Sequence, residues 1–70
     1  MYNGHKSRPA WNVALWLAND EGLYSMARRE LRRRGTKVDA AARLVDMLPE
    51  RTPDGYRYTK TTVLAAIRDF

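Results

Sequence analysis

The sequence predicts an all-α fold, a small bundle of three to four short helices. Apolar residues recur at helical spacing through four separate stretches, and a start or stop signal stands at almost every boundary between them. A third observation sets the scale. With seventy residues and no cysteine, one core must hold the chain without disulfides or thiolate-bound metal, and a domain of about 60 residues buries only about 60% of its unfolded surface. Large apolar side chains are therefore expected to be committed to packing.

Residues 1–9, MYNGHKSRP, combine Gly, Pro, Asn and Ser with cations and read as a flexible basic arm, leaving 10–70 as a single helical domain. The first helix opens near Pro9 or Ala10, since a proline in the first turn gives up no hydrogen bond. Trp11, Ala14, Leu15 and Ala18 follow at i, i+3, i+4, i+7, and Val13, Trp16 and Leu17 cover much of the remaining circumference. A helix so apolar all round is expected to be central, with Trp11 in the core. Asn19-Asp20-Glu21-Gly22 forms a tight corner, because Asn and Asp suit helix ends and acids suit a first turn.

The second helix, over about 21–34, is expected to bury Leu23, Tyr24, Met26, Ala27 and Leu31, with Arg28, Arg29, Arg32 and Arg33 on its other face and Gly35 as terminator. Thr36 and Asp39 form a capping-box pattern, with Asp in the usual Glu position, that starts a third helix over about 37–48. Its stripe is Val38, Ala41, Ala42, Val45 and Leu48, joined by Leu44, and Pro49 closes it. Within 50–58, Thr-Pro-Asp-Gly signals a turn, and Tyr56 and Tyr58 alternate like one strand. A lone strand has nothing to pair with, so this segment reads as an ordered loop. Thr59 or Thr61 then caps a last helix carrying Val63, Ala66, Ile67 and Phe70.

Tyr-Asn-Gly, then Trp-Asn-Val-Ala-Leu-Trp-Leu, then Asn-Asp-Glu-Gly-Leu-Tyr, over about residues 2–24, resembles a family of short proteins of bacteriophages, prophages and other mobile elements. Members of that family usually carry a polar and aromatic segment before the first Trp, of the kind Trp-Thr-Asn-Tyr-Glu-Thr. Here that place is taken by residues 5–10, HKSRPA, so a site built on the segment would be altered. The family has no assigned activity to carry over, and the resemblance implies a phage-like setting and little chemistry.

The net charge of +5, from 13 Lys and Arg against 8 Asp and Glu, favours an anionic partner, either nucleic acid or an acidic host protein. Small soluble domains often carry about 2 to 8 net charges for solubility alone, so the clustering matters more than the sum. RRELRRR, residues 28–34, places Arg28, Arg29, Arg32 and Arg33 three or four apart, with Lys37 just beyond. That spacing presents several guanidinium groups towards phosphates or carboxylates. A plain solvated helix end, where cations suit the dipole, is the competing reading. Helices two and three, joined around Gly35, have the short connection of a helix-turn-helix, but the third helix lacks the Arg, Asn and Gln side chains that read base edges. Backbone binding or protein contact is the expected mode.

Trp11, Trp16 and Tyr24 could stack on bases, but the core of so small a domain claims them first. Trp16, five residues from Trp11 and hence on another side, is the more exposed, and with Tyr56 it completes an aromatic and Arg surface for a protein partner. Catalysis is not expected, because no nucleophile–base pattern is present, and His5 with Asp20 and Glu21 is too thin a set for metal. No cofactor, small-molecule substrate or membrane span is expected, since the longest apolar run, 13–18, is far shorter than the roughly 20 residues that cross a bilayer. The reading that results is a non-enzymatic, cytoplasmic binding module of phage type, with self-association as a minor possibility.

Overall fold

The computed structural model describes residues 7–68 and 70, in which four helices follow one another: α1 (Arg8–Asn19), α2 (Glu21–Leu31), α3 (Lys37–Met47) and α4 (Lys60–Ile67). The expected all-α bundle is what forms. α1 packs against both α2 and α4, and α3 packs against α2 and α4, so the four helices close around one core. Most of the expected arm, residues 1–6, lies outside the described residues. Its end does not behave as an arm: Ser7 caps α1, its Oγ accepting from the Ala10 N–H at 3.3 Å, and Pro9 stands in the first turn.

Side-chain oxygens cap every helix start. Asp20 closes α1 and opens α2, donating its N–H to the Trp16 carbonyl at 3.0 Å while its carboxylate accepts from the Leu23 N–H at 3.0 Å. One residue thus makes the whole corner. Thr36 and Asp39 form the anticipated reciprocal box at α3, and Thr59, not Thr61, makes the equivalent box with Thr62 at α4. Gly35 is obligatory between α2 and α3: its φ is +115°, and a Cβ there would stand 2.8 Å from the capping Asp39 carboxylate. α2 ends at Leu31, three residues earlier than the sequence suggests. Arg32 and Arg33 make the tighter i→i−3 bonds to the Arg29 and Glu30 carbonyls, both at 3.2 Å, instead of continuing the α-helix.

The core is aliphatic: Val13 and Leu17 of α1, Ala27 of α2, Ala40, Ala41 and Leu44 of α3, Val63, Ala66 and Ile67 of α4, with Leu48 and Tyr58 from the connection. Trp11 is not in it. The core side of α1 runs through Ala10, Val13 and Leu17, and Trp11, about 100° further round the helix, is only partly buried beyond that line. Tyr24, expected to be buried, is 40% exposed, because α2 turns Ala27 and Glu30 to the interior and leaves Tyr24 on its flank. Val38 is likewise exposed, off the buried line of Ala40, Ala41 and Leu44. Tyr58, in the loop before α4 as expected, is buried.

The connection from α3 to α4 is indeed an ordered loop, and it folds into a small hairpin. Arg51 and Arg57 form an antiparallel bridge, the Thr52 N–H donates to the Tyr56 carbonyl at 2.7 Å, and the Gly55 N–H donates to the Thr52 carbonyl at 2.8 Å. What a lone ribbon lacks in pairing is supplied by α1. Asn12, 2% exposed, accepts from Thr52 Oγ1 at 2.7 Å and donates from Nδ2 to the Asp54 carboxylate at 2.7 Å. Trp16 Nε1, one turn further along α1, donates to the same Asp54 oxygen at 3.0 Å. These two hydrogen bonds, that of Asn12 first, hold the Asp54 carboxyl below its usual pKa.

Candidate functional site

The run RRELRRR occupies the last turns of α2 and its exit. Its only acid, Glu30, points inward with its side chain 7% exposed. Arg43 of α3 meets it there, donating from Nε to the carboxylate at 2.7 Å and from a terminal nitrogen to the Glu30 carbonyl at 3.1 Å. Arg33 adds a contact to the same oxygen at 3.3 Å. The hydrogen bond from Arg43 is the main reason that the Glu30 carboxyl lies below its usual pKa, against an opposing push from burial. The acid in the middle of the basic run is therefore spent on tying α2 to α3.

The remaining arginines are left without such a partner. Arg28, Arg29, Arg32 and Arg34 are all exposed, and among the described residues none of them has a carboxylate within ion-pairing distance. Arg28 and Arg32 stand one turn apart on the solvent side of α2, with Arg29 beside them. Arg28 lies over the ring of Tyr24, 5.9 Å from its centroid, and Phe70 stands against the same ring at 5.3 Å between centroids. Phe70 is itself fixed by its N–H to the Ile67 carbonyl at 3.1 Å. Lys37 reaches from the start of α3 to the Arg68 carbonyl at the end of α4. Phe70 thus meets α2 through Tyr24, and Lys37 ties the start of α3 to the end of α4.

Of the residues singled out in the sequence, Arg28, Arg29 and Arg32 have no carboxylate partner among the described residues, while Arg33 and Lys37 have partners inside the molecule. Trp16 and Tyr56 belong to a different place. Both are partly buried at the hairpin on α1, where the Trp16 N–H is already used by Asp54 and the Tyr56 backbone by Thr52. No hydrogen bond, ion pair or ring contact among the described residues joins either to the arginines of α2. Tyr24 and Phe70 are the aromatics beside those arginines, and sequence reasoning passed them over by assigning both to packing. The available signal was spacing: Tyr24 is four residues before Arg28, one turn on the same flank.

Among the described residues, His, Asp and Glu form no cluster of three or more that could hold a metal, and no helix is long and apolar enough to cross a membrane. Fold and surface together describe a small all-α domain with an exposed arginine face on α2, unpaired among the described residues. The chain belongs to DUF7249, a family of unknown function whose model matches residues 1–69, far more of the chain than the opening helix and corner on which the sequence resemblance rests. Neither a curated protein nor a solved structure matches it.

Proposed function

We propose that this protein is a non-enzymatic binding module that takes an anionic partner on the solvent face of α2, through Arg28, Arg29 and Arg32 with Arg33 and Lys37 at the margin. One observation carries the reading: the acid that would neutralise this run, Glu30, is turned inward onto Arg43, so the exposed guanidinium groups keep their charge for a partner. Unpaired, exposed guanidinium forks suit phosphate or carboxylate oxygens, which they can engage with paired hydrogen bonds. The resemblance of residues 2–24 to short phage and prophage proteins supports an accessory role in a mobile element, acting in the cytoplasm.

The test compares the protein with a variant in which Arg28, Arg29, Arg32 and Arg33 are all Gln. Gln keeps the helix propensity and removes the charge. Binding to an oligonucleotide and to polyglutamate is measured over a salt series. The variant is expected to fold, since Arg43 still holds Glu30, and to lose binding. A control carrying Arg57→Gln and Lys60→Gln, exposed cations outside the α2 face, should keep it. Equal loss in both variants would reduce the effect to net charge and sink the proposal.

A further inference from the structure

We infer that the α2 surface is a single-stranded nucleic-acid site, in which Tyr24 carries a base while Arg28, Arg29 and Arg32 hold the adjoining phosphates. The inference rests on the anion-binding reading and names its ligand. Tyr24 is 40% exposed in a domain that has little apolar surface to spare, and Arg28, without a carboxylate partner among the described residues, stands over its ring. Phe70 braces the ring from the core side, since Phe70 itself packs on the buried cluster. The ring is thus a supported platform and not a loose side chain. Arg28, whose guanidinium lies over the ring at 5.9 Å on a flexible stem, is placed to cover a base laid there or to reach its phosphate.

An aromatic face beside a basic track is the combination that binds unpaired strands, because every base offers a π-face to stack and every nucleotide a phosphate to neutralise. Duplex DNA fits the same surface less well. Its phosphates can meet the arginines, but its bases are stacked on one another and present no free face to Tyr24. An acidic protein would engage the arginines and pack on the ring, as Tyr and Arg do in protein interfaces, but it does not offer a π-face and a phosphate on every unit. Charge complementarity together with the exposed platform therefore favours the single strand.

Fluorescence anisotropy with an oligothymidylate of about 12 nucleotides, set against a duplex of equal length and polyglutamate, tests this. The strand should bind more tightly than the duplex. Tyr24→Leu, which removes the π-face and keeps an apolar side chain against Phe70, should weaken strand binding about 5- to 150-fold, the effect of losing one base stack. Duplex binding should be unchanged, and Tyr24→Phe should restore the strand affinity. As a direct readout on the unaltered protein, photo-crosslinking of a 5-iodouracil strand should place the adduct on Tyr24 or Phe70.

Adducts confined to Trp16 or Tyr56, or equal weakening of strand and duplex by Tyr24→Leu, would overturn the assignment. If the strand binds through the arginines but Tyr24→Leu has no effect, the base platform fails and the anionic surface stands. Binding of polyglutamate alone has the same meaning. If neither polymer binds, or the quadruple Gln variant binds as the native chain does, both readings fall together.

Discussion

Thr52 Oγ1 donates a 2.7 Å hydrogen bond to Asn12 Oδ1, joining the hairpin to α1 across 40 residues of sequence. Both side chains are buried, so the bond does more than decorate the surface: each group would lose water without compensation if the other were removed. Asn12→Ala is expected to destabilise the domain by about 1 to 3 kcal/mol. Thr52→Val should cost less than the sum suggests when combined with it. A double-mutant cycle by urea unfolding measures the pair, and additivity within about 0.3 to 0.5 kcal/mol would show that the two do not act together.

Asp54 ties stability to acid pH. Hydrogen bonds from Asn12 and Trp16 lower its pKa in the folded state below the ordinary value of 3.8. Its contribution is therefore present above the unfolded-state pKa and is lost as pH falls through the lower folded value. Stability should decline in that acidic window, and Trp16 emission should change as its indole loses the carboxylate. Asp54→Ala should be less stable at neutral pH with a shallower acid decline. Glu30 acts with the same sign, so some acid dependence should persist in that variant and diminish further with Glu30→Gln.

Tyr58 brings the opposite end of the pH scale into play. Its hydroxyl is buried without a hydrogen-bond partner among the described residues, and burial, with a smaller push from the Asp20 charge, raises its pKa above 10.0. A raised folded pKa means that this stabilisation holds below the unfolded value and is lost as pH rises through the folded one. Tyr58→Phe should thus be neutral or stabilising at pH 7, because it removes an unsatisfied buried group, and should resist alkaline unfolding better than the native chain. Melts at neutral and alkaline pH measure both effects. A marked loss at neutral pH would show that the hydroxyl has a stabilising partner.

Leu44 and Trp11 should rank opposite to their sizes. Leu44 is fully buried among all four helices' core residues, so Leu44→Ala is expected to cost about 2 to 5 kcal/mol. Trp11 is larger but only partly buried outside that cluster, so Trp11→Ala should cost less than Leu44→Ala and less than the roughly 3 to 5 kcal/mol of a buried aromatic. Chemical denaturation of the two variants decides the order.

The helices and most of their limits, though not the early end of α2, were legible in the sequence because they depend on neighbours: Asp20, Thr36 and Gly35 act on backbone groups within a few residues, and apolar spacing of three and four defines a helix whatever surrounds it. The arginine face of α2 was legible for the same reason. Which side of a helix becomes interior was not. α1 is apolar almost all round, and only its contacts with α2, α4 and the hairpin show that Val13 and Leu17 face the core, Asn12 and Trp16 meet the hairpin, and Trp11 remains outside the buried cluster. Polarity misled in both directions, since Asn12 and Glu30 are buried by partners 40 and 13 residues away while Tyr24 stays exposed. Local hydrogen bonding determines where helices begin and end, but burial is a property of the assembled surfaces, and only tertiary packing decided which tyrosine the core took and which it left beside the arginines.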